Sequence, residues 1–150
     1  MASSKSKKLF TVDQANAMLP LVQAIVSDLV ALSRQVTDRR QRLEHLMSGR
    51  DMESGDPYDD ELTQIEQELE KDALQLQEYV GELRALGVEP KAGPRGFGLV
   101  DFPSLMDGRQ VFLCWEYGEE EVAHWHDLDA GYDGRQPLAA VTIAEDSDDA

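Results

Sequence analysis

Two heptad series separated by a short turn region constrain this chain more than any other feature. Apolar residues that recur every 3.5 positions let two helices pack along a shared seam. The first seam is Val22, Ile25, Leu29, Leu32, Val36, Arg39, Leu43 and Leu46, and the second is Leu62, Ile65, Leu69, Asp72, Leu76, Tyr79, Leu83 and Leu86. Residues 48–60 between them contain two glycines, a proline and several acids, which is typical of a loop. The sequence therefore predicts a long antiparallel helical hairpin.

The ends of this hairpin carry recognisable signals. Thr11-Val12-Asp13-Gln14 matches a capping box, in which a threonine hydroxyl and a glutamine side chain each satisfy a free helix amide. Phe10 is placed to pack against Ala15 on the first turns. Gly87 follows the second series as a C-terminal glycine, and Val88 is placed for the hydrophobic contact that accompanies such a cap.

Pro20 lies too deep in the first helix to belong to its first turn. Because proline has no N–H and its ring crowds the preceding turn, we expect a kink or a break near Leu19. The helix should then continue to about Met47.

Arg39 and Asp72 are the two charged members of the seams. When the helices fold back on each other these residues lie about one layer apart, which predicts a structural ion pair that fixes the register. Residues 1–50 carry eight basic and four acidic side chains, whereas residues 51–87 carry two basic and twelve acidic ones. The opposite signs favour the same pairing of the two helices.

From Glu89 onward the composition is that of a β-rich module. Glycines and a proline within residues 93–98 predict a flexible connector, and a short strand over 99–102 should end at Pro103. The dipeptide Asp107-Gly108 predicts a tight turn. The remaining predicted strands are Gln110–Glu116, Val122–Asp127 and Leu138–Ala144.

The predicted fold class is α+β, with a long N-terminal coiled-coil-like hairpin followed by a small antiparallel β module. The chain divides into a flexible N-terminus (1–9), the hairpin (10–87), the β-rich module (88–144) and a disordered acidic tail (145–150). Met18, Val26, Val30 and Val80 are apolar but lie off the seam. A homodimer that closes a four-helix bundle would cover them, and so would the β module folding back.

Charge and composition exclude several classes of function. The formal net charge is −16, whereas binding to nucleic acid or to an anionic membrane needs clustered basic residues. No apolar run approaches the roughly 20 residues of a spanning helix, and the lysine-containing start, which leads into a capped helix, does not look like a secretory signal. The single cysteine, Cys114, forms no internal disulfide. We therefore expect a cytoplasmic protein without direct nucleic-acid or membrane partners.

Several segments resemble a family of uncharacterised prokaryotic proteins catalogued as domain of unknown function 2203. They are the opening Phe10-Thr11 with 15–21, then Gly98-Leu99-Val100-Asp101-Phe102-Pro103, Leu113-Cys114-Trp115, Gly118-Glu119, Trp125-His126, Gly131-Tyr132 and 134–138. The resemblance covers nearly the whole chain and is weakest at 48–60. It implies a cytosolic bacterial or archaeal protein and brings no activity or site residues with it.

A metal site is the sharpest chemical hypothesis. Alternate residues of a strand point to the same face, so His124 and His126 project together. If Glu116 pairs with Val122, Cys114 lies opposite His124, and Glu116 sits at the edge of that face. Thiolate, imidazole and carboxylate suit zinc or another divalent transition metal. A one-residue slip in register would remove Cys114, leaving a buried cysteine that packs as a small apolar residue.

Two further patterns are weaker. Asp127, Asp129 and Asp133 alternate around glycines as in a calcium loop, but Leu138 stands where that loop needs a glutamate, so a polar surface loop is the preferred interpretation. Arg109 and Arg135 each follow Asp-Gly and could contact an anion, although strand-edge salt bridges are the simpler use.

We therefore expect a non-catalytic interaction or oligomerisation protein with a transition-metal site in the β module. One alternative is a small metal-dependent enzyme that uses Cys114, His124 and His126, with Glu116 or Glu119 as base. Another is an acidic mimic of nucleic acid, which rests on net charge alone.

Overall fold

The computed structural model describes residues 8–48, 58–94 and 96–138. Two helices precede an antiparallel sheet of five strands in sequential order, so the α+β class is confirmed. The helices are α1 (Val12–Ser48) and α2 (Tyr58–Ala85); the strands are β1 (Glu89–Gly93), β2 (Gly96–Met106), β3 (Arg109–Glu116), β4 (His124–Asp127) and β5 (Gln136–Pro137), with a short 3-10 helix at Tyr132–Gly134.

Both predicted helix caps are present. The Thr11 hydroxyl accepts from the Gln14 amide at 3.0 Å, and the Gln14 side chain accepts from the Thr11 amide at the same distance. At the end of α2 the Val88 amide donates to the Leu83 carbonyl, the Gly87 amide donates to the Arg84 carbonyl, and Gly87 has a φ of 95°. This is the hydrogen-bond pattern of a Schellman cap, with Val88 and Leu83 both buried.

The predicted break at Pro20 is wrong, because α1 continues through it to Ser48. Pro20 is exposed, while Leu19 and Val22 on either side are buried. A proline in a helix removes one backbone hydrogen bond, and burial of its neighbours in a common core favours the helical path. The predicted loop is also shorter than expected, since α2 begins at Tyr58; residues 49–57 lie outside the described part.

The sheet starts earlier than the sequence indicated. The segment interpreted as a flexible connector is instead β1, the turn after it and the start of β2, paired from Glu89 with Asp101 to Gly93 with Gly96. The next turn is as predicted: Asp107 and Gly108 have φ values of 54° and 82°. Two successive positive φ values are those of a type I′ hairpin turn.

β2 also runs past Pro103, where the sequence predicted its end. Pairing with β1 stops at Asp101, so Pro103 has a neighbouring strand only on the β3 side. Its carbonyl accepts from the Phe10 amide at 2.7 Å. Pro103 has no backbone N–H, and on this side no neighbouring strand needs one as a hydrogen-bond donor.

The end of the module is only partly described. The predicted last strand, Leu138–Ala144, has just Leu138 among the described residues. The structure instead places β5 at Gln136–Pro137, paired with His124 and Trp125 of β4. Leu138 is buried, and its amide donates to the Ala123 carbonyl at 2.8 Å.

One apolar cluster joins the hairpin to the inner face of the sheet. It includes Val22, Val26 and Leu29 of α1 together with Phe102 and Trp115 of the strands. The off-seam residues behind the dimer prediction belong to it: Val26 is fully buried, and Met18, Val30 and Val80 pack against the cluster. The shared core of helices and sheet therefore buries Val26 and packs against the other three.

α1 also meets a simple criterion for a membrane-spanning helix. It contains a stretch that is long and apolar enough to cross a membrane, which corrects the expectation that no run is. The core helix of a soluble protein satisfies the same criterion. Here the apolar stripe of α1 packs on α2 and the sheet, so the test by itself indicates no membrane association.

Within the described residues, the distal parts of the two helices pack on each other outside the apolar cluster that they share with the sheet. Val36 and Ile65 are buried in their seam, outside the cluster shared with the sheet. Within this seam Arg39 forms an ion pair with Asp72, and its Nε lies 3.5 Å from Glu68. The Asp72 side chain is 11% exposed and that of Arg39 is 31% exposed, so Asp72 is the more buried partner.

We expect replacement of Arg39 by leucine to lower the free energy of unfolding by about 2 kcal/mol, because it leaves the Asp72 carboxylate without its charged partner. Asp72→Leu should cost less, since Arg39 keeps Glu68 and reaches water. The double leucine variant should recover most of the loss. Urea unfolding followed by circular dichroism measures all three variants. The control is Arg42→Leu, which breaks the exposed pair with Glu61. If Arg39→Leu and the double variant lose the same free energy of unfolding, Arg39 and Asp72 do not interact.

Candidate metal centre

Three neighbouring strands present polar side chains on the outer face of the sheet. Asp101 of β2 pairs with Cys114 of β3, and Cys114 pairs with His124 of β4. In the next row Phe112 pairs with His126. This is the register that the sequence predicted for β3 and β4. Because alternate residues share a face, these side chains lie opposite the apolar inner face that contacts α1.

Asp101, Cys114 and His126 form a compact cluster on this face. One potential ligand atom from each lies within 4.8 Å of the other two. The three residues are only 1 to 2% exposed. Charged and polar side chains are seldom buried so completely without specific partners, so their contacts decide what the cluster can do.

The partners of His126 define its tautomer. Its Nδ1 lies 2.8 Å from the backbone carbonyl of Asp127, and a carbonyl oxygen can only accept, so Nδ1 carries a proton. Its Nε2 lies 3.0 Å from Oδ1 of Asp101. Nε2 therefore either shares a proton with the carboxylate or offers its lone pair to a cation. A backbone acceptor on the far nitrogen is the usual support of a metal-ligating histidine.

Cys114 is not an activated nucleophile in this environment. Burial, and then the nearby negative charge of Asp101, raises the pKa of its thiol to about 12, although Arg135 acts in the opposite direction. The thiol is therefore protonated near neutral pH, whereas nucleophilic cysteines are thiolates in exposed, electropositive sites. A bound metal ion would remove this proton, because coordinated thiols ionise.

Asp101 connects the cluster to the protein surface. Its Oδ1 faces His126, while its buried Oδ2 has no hydrogen bond within the described residues. The nearest cation to Oδ2 is the Lys91 ammonium, with Nζ at 3.3 Å. The Lys91 side chain is 47% exposed, against 2% for Asp101.

Two members of the predicted ligand set, His124 and Glu116, lie outside this cluster. His124 Nδ1 is 3.6 Å from Oε2 of Glu119. Glu116 Oε1 lies 3.3 Å from the Tyr132 hydroxyl and 3.8 Å from Nη1 of Arg135. Within the described residues, the nearest charged groups to these two side chains are thus Glu119 and Arg135, and neither His124 nor Glu116 joins the compact cluster.

Asp101 is the residue that sequence reasoning missed, although a signal was present. The two-residue turn at Asp107-Gly108 sets the pairing of the strands that flank it. Counting back from that turn places Asp101 directly opposite Cys114, as observed. Ending the preceding strand at Phe102 obscured this pairing.

The comparisons with known proteins agree with the resemblance noted in the sequence. The model of a family of uncharacterised conserved proteins, DUF2203, matches residues 8–138. The chain belongs to this family. No curated protein and no solved structure matches it. In this DUF2203 protein, Asp101, Cys114 and His126 all fall in segments on which the resemblance rests.

The two arginines considered as anion contacts are engaged with carboxylates. Arg109 pairs with Asp127 and lies over the Trp125 ring at 5.6 Å. Arg135 Nη2 donates to both oxygens of Glu119, at 2.8 and 2.9 Å, and lies 3.3 Å from the Cys114 carbonyl. The described structure does not bring the two arginines together around one anion.

We expect the Cys114 thiol of this DUF2203 protein to react slowly with a disulfide reagent. At about pH 8 a thiol with the raised pKa has few thiolates, so native protein should react more than about a hundredfold slower than protein in denaturant. Absorbance of the released thiol product measures both rates, and Cys114→Ser gives the background. Fast reaction of native protein would contradict the enclosed, protonated thiol.

Proposed function

We propose that this protein is a non-catalytic interaction protein whose β module holds one divalent transition metal ion, and zinc is the first candidate for that ion. The ligands are the Asp101 carboxylate, the Cys114 thiolate and the His126 Nε2. The observation that carries the proposal is the meeting of a carboxylate, a thiol and an imidazole, all buried, with ligand atoms within 4.8 Å on three neighbouring strands.

The donor set suits zinc in type and charge. Sulfur, nitrogen and oxygen donors are those that zinc takes in proteins. The thiolate and the carboxylate together neutralise a dication. Tetrahedral zinc holds neighbouring donors about 3.3 to 3.6 Å apart, and His126 Nε2 and Asp101 Oδ1 are already 3.0 Å apart. Binding therefore requires only small side-chain shifts, together with the loss of the thiol proton and of the proton that His126 Nε2 shares with Asp101.

Burial of the ligands supports a structural rather than a catalytic ion. A catalytic zinc keeps an open position for water and substrate, whereas all three ligand residues are at most 2% exposed. The enzyme alternative also requires His124 as a ligand and Glu116 or Glu119 as base. His124 faces Glu119, and the Glu119 carboxylate is held by Arg135.

The hairpin supports the interaction role. The shared apolar cluster extends only to Val30 on α1 and begins at Leu76 on α2. The remainder of α1, to Ser48, would reach about 27 Å at 1.5 Å per residue. An arm of this length offers binding surface without contributing to the sheet. Its acidic α2 side suits a partner with a basic surface, which is also the only support for the nucleic-acid mimic.

A homodimer through the hairpin stays a prediction with reduced support. The residues that motivated it belong to the protein's own core or pack against it, so we expect any dimer through the hairpin to use the distal arm. Light scattering at micromolar concentration measures the mass directly. If the arm pairs with a second copy, we expect twice the chain mass of 16.8 kDa, and Leu74→Glu, which alters the most exposed large apolar residue of that arm, should lower it. A mass of one chain would rule the dimer out.

The metal proposal predicts near-stoichiometric binding of zinc or cobalt to tag-free protein. Asp101→Asn, Cys114→Ser and His126→Ala should each weaken binding at least about tenfold, because each removes a ligand. The thiol keeps its proton between about pH 6 and 9, so binding must release it. Affinity should therefore rise with pH by at least about tenfold for each pH unit, because the proton shared by His126 and Asp101 is released as well. Cobalt–thiolate absorption and isothermal titration calorimetry measure these effects.

His124→Ala and Glu116→Gln are the matched controls, since both lie on the same face outside the cluster. They should bind cobalt as the unaltered protein does. Loss of binding in these controls, with Asp101→Asn unaffected, would favour the ligand set derived from sequence. Failure of the unaltered protein to bind zinc, cobalt or iron would leave Cys114 as a packed apolar residue. Circular dichroism checks that each variant is folded.

A further inference from the structure

We propose that the Lys91 ammonium competes with the metal ion for the Asp101 carboxylate and thereby sets the affinity of the site for the ion. This inference rests on the proposed metal site and adds a regulating residue to it. Lys91 lies on β1, at the edge of the sheet. Its ammonium nitrogen is 3.3 Å from Asp101 Oδ2 and 5.3 Å from the centre of the Phe112 ring.

The Lys91 ammonium is the cation that pairs with Asp101 Oδ2. Asp101 Oδ2 is buried and has no hydrogen bond within the described residues. Lys91 therefore supplies the positive charge that this oxygen faces in the metal-free protein. Phe112 lies beside the cluster, since its ring centre is 5.6 Å from that of His126. The contact of Lys91 with this ring holds the ammonium over the site, as an aromatic face attracts a cation.

A metal ion and this ammonium oppose each other. A dication among Asp101, Cys114 and His126 would lie a few ångströms from a charge of the same sign, in a site largely removed from water. Repulsion between like charges is strong there because screening is weak. The Lys91 side chain is 47% exposed, so its flexible stem allows the ammonium to withdraw into solvent. Metal binding then includes the loss of the Lys91–Asp101 contact.

The other cations near the site are differently placed. Arg135 contacts Cys114 but is bound by both oxygens of Glu119. Arg109 is paired with Asp127. Among the described residues, the only carboxylate paired with Lys91 is the proposed ligand itself. Substitution at Lys91 should therefore change metal affinity while leaving the ligand set intact.

The test is a competition titration of cobalt and zinc against a chelating dye with the full chain. Lys91→Met keeps the length and apolar stem of the side chain and removes its charge. We expect it to bind at least about tenfold more tightly than the unaltered protein. Lys91→Gln should change affinity in the same direction. Lys71→Met removes an equal charge from α2, outside the sheet, and should change affinity less than twofold.

The outcomes separate this inference from the proposed function. Cobalt binding by the unaltered protein, with equal or weaker binding by both Lys91 variants, would overturn the role of Lys91 and leave the metal site standing. Absence of binding by the unaltered protein and by every variant would overturn the metal site, and the inference with it. If Lys71→Met binds the metal ion more tightly by the same factor as Lys91→Met, the effect comes from net charge, and Lys91 is not a local competitor. Circular dichroism of the metal-free variants confirms their fold, and Lys91→Gln decides the matter if Lys91→Met does not fold.

Discussion

The packing of α1 on two partners at once determines the rest of this structure. Val22 and Leu29 close the seam with α2, while Val26, fully buried, faces the sheet within the same apolar cluster. The inner face of the sheet, including Phe102 and Trp115, has its apolar cover in this helix. Neither the hairpin nor the sheet encloses that cluster by itself. A chain of 150 residues buries more apolar surface in one shared core than in two small separate ones, because small domains bury a smaller fraction of their surface.

This arrangement also decides where chemistry can occur. Strand side chains alternate between faces, so an inner face filled by tryptophan, phenylalanine and valine leaves Asp101, Cys114 and His126 on the outer face. Those residues are nevertheless almost fully buried. Lys91 lies beside them, and Arg135 reaches across from the segment after β4, over the Tyr132 ring at 5.3 Å. The outer face thus carries a small buried polar cluster. The sheet itself is the single layer that separates this cluster from the apolar core on the inner face.

The elements predictable from sequence were those with local causes. The heptads, the capping box at Thr11, the glycine cap at Gly87 and the Asp107-Gly108 turn depend on residues close together in the chain. The register of β3 with β4 also followed from short spacing. The predictions at Pro103 and Pro20 were wrong because the effect of a proline depends on residues distant in the chain. Pro103 lies beside an unpaired sheet edge, and the neighbours of Pro20 in α1 are buried in the core. The same dependence hid Asp101, whose role appears only when β2 extends past Pro103 and pairs with β3.

The electrostatics of the outer face give the physical support for the proposed metal site. A buried ion pair generally stabilises a fold no more than well-packed apolar residues of the same size do, so Asp101 and His126 gain little from each other alone. The neighbouring thiol is held protonated by burial and by that carboxylate, and Asp101 Oδ2 has no hydrogen bond in the part of the chain that the structure describes. A single dication would satisfy all three: it accepts the imidazole lone pair, neutralises the carboxylate and displaces the thiol proton. The Lys91 ammonium meets only one of these needs, because it reaches Asp101 from the surface. Under the proposed function, this difference lets a lysine pair with Asp101 in the metal-free protein and be displaced when the ion binds.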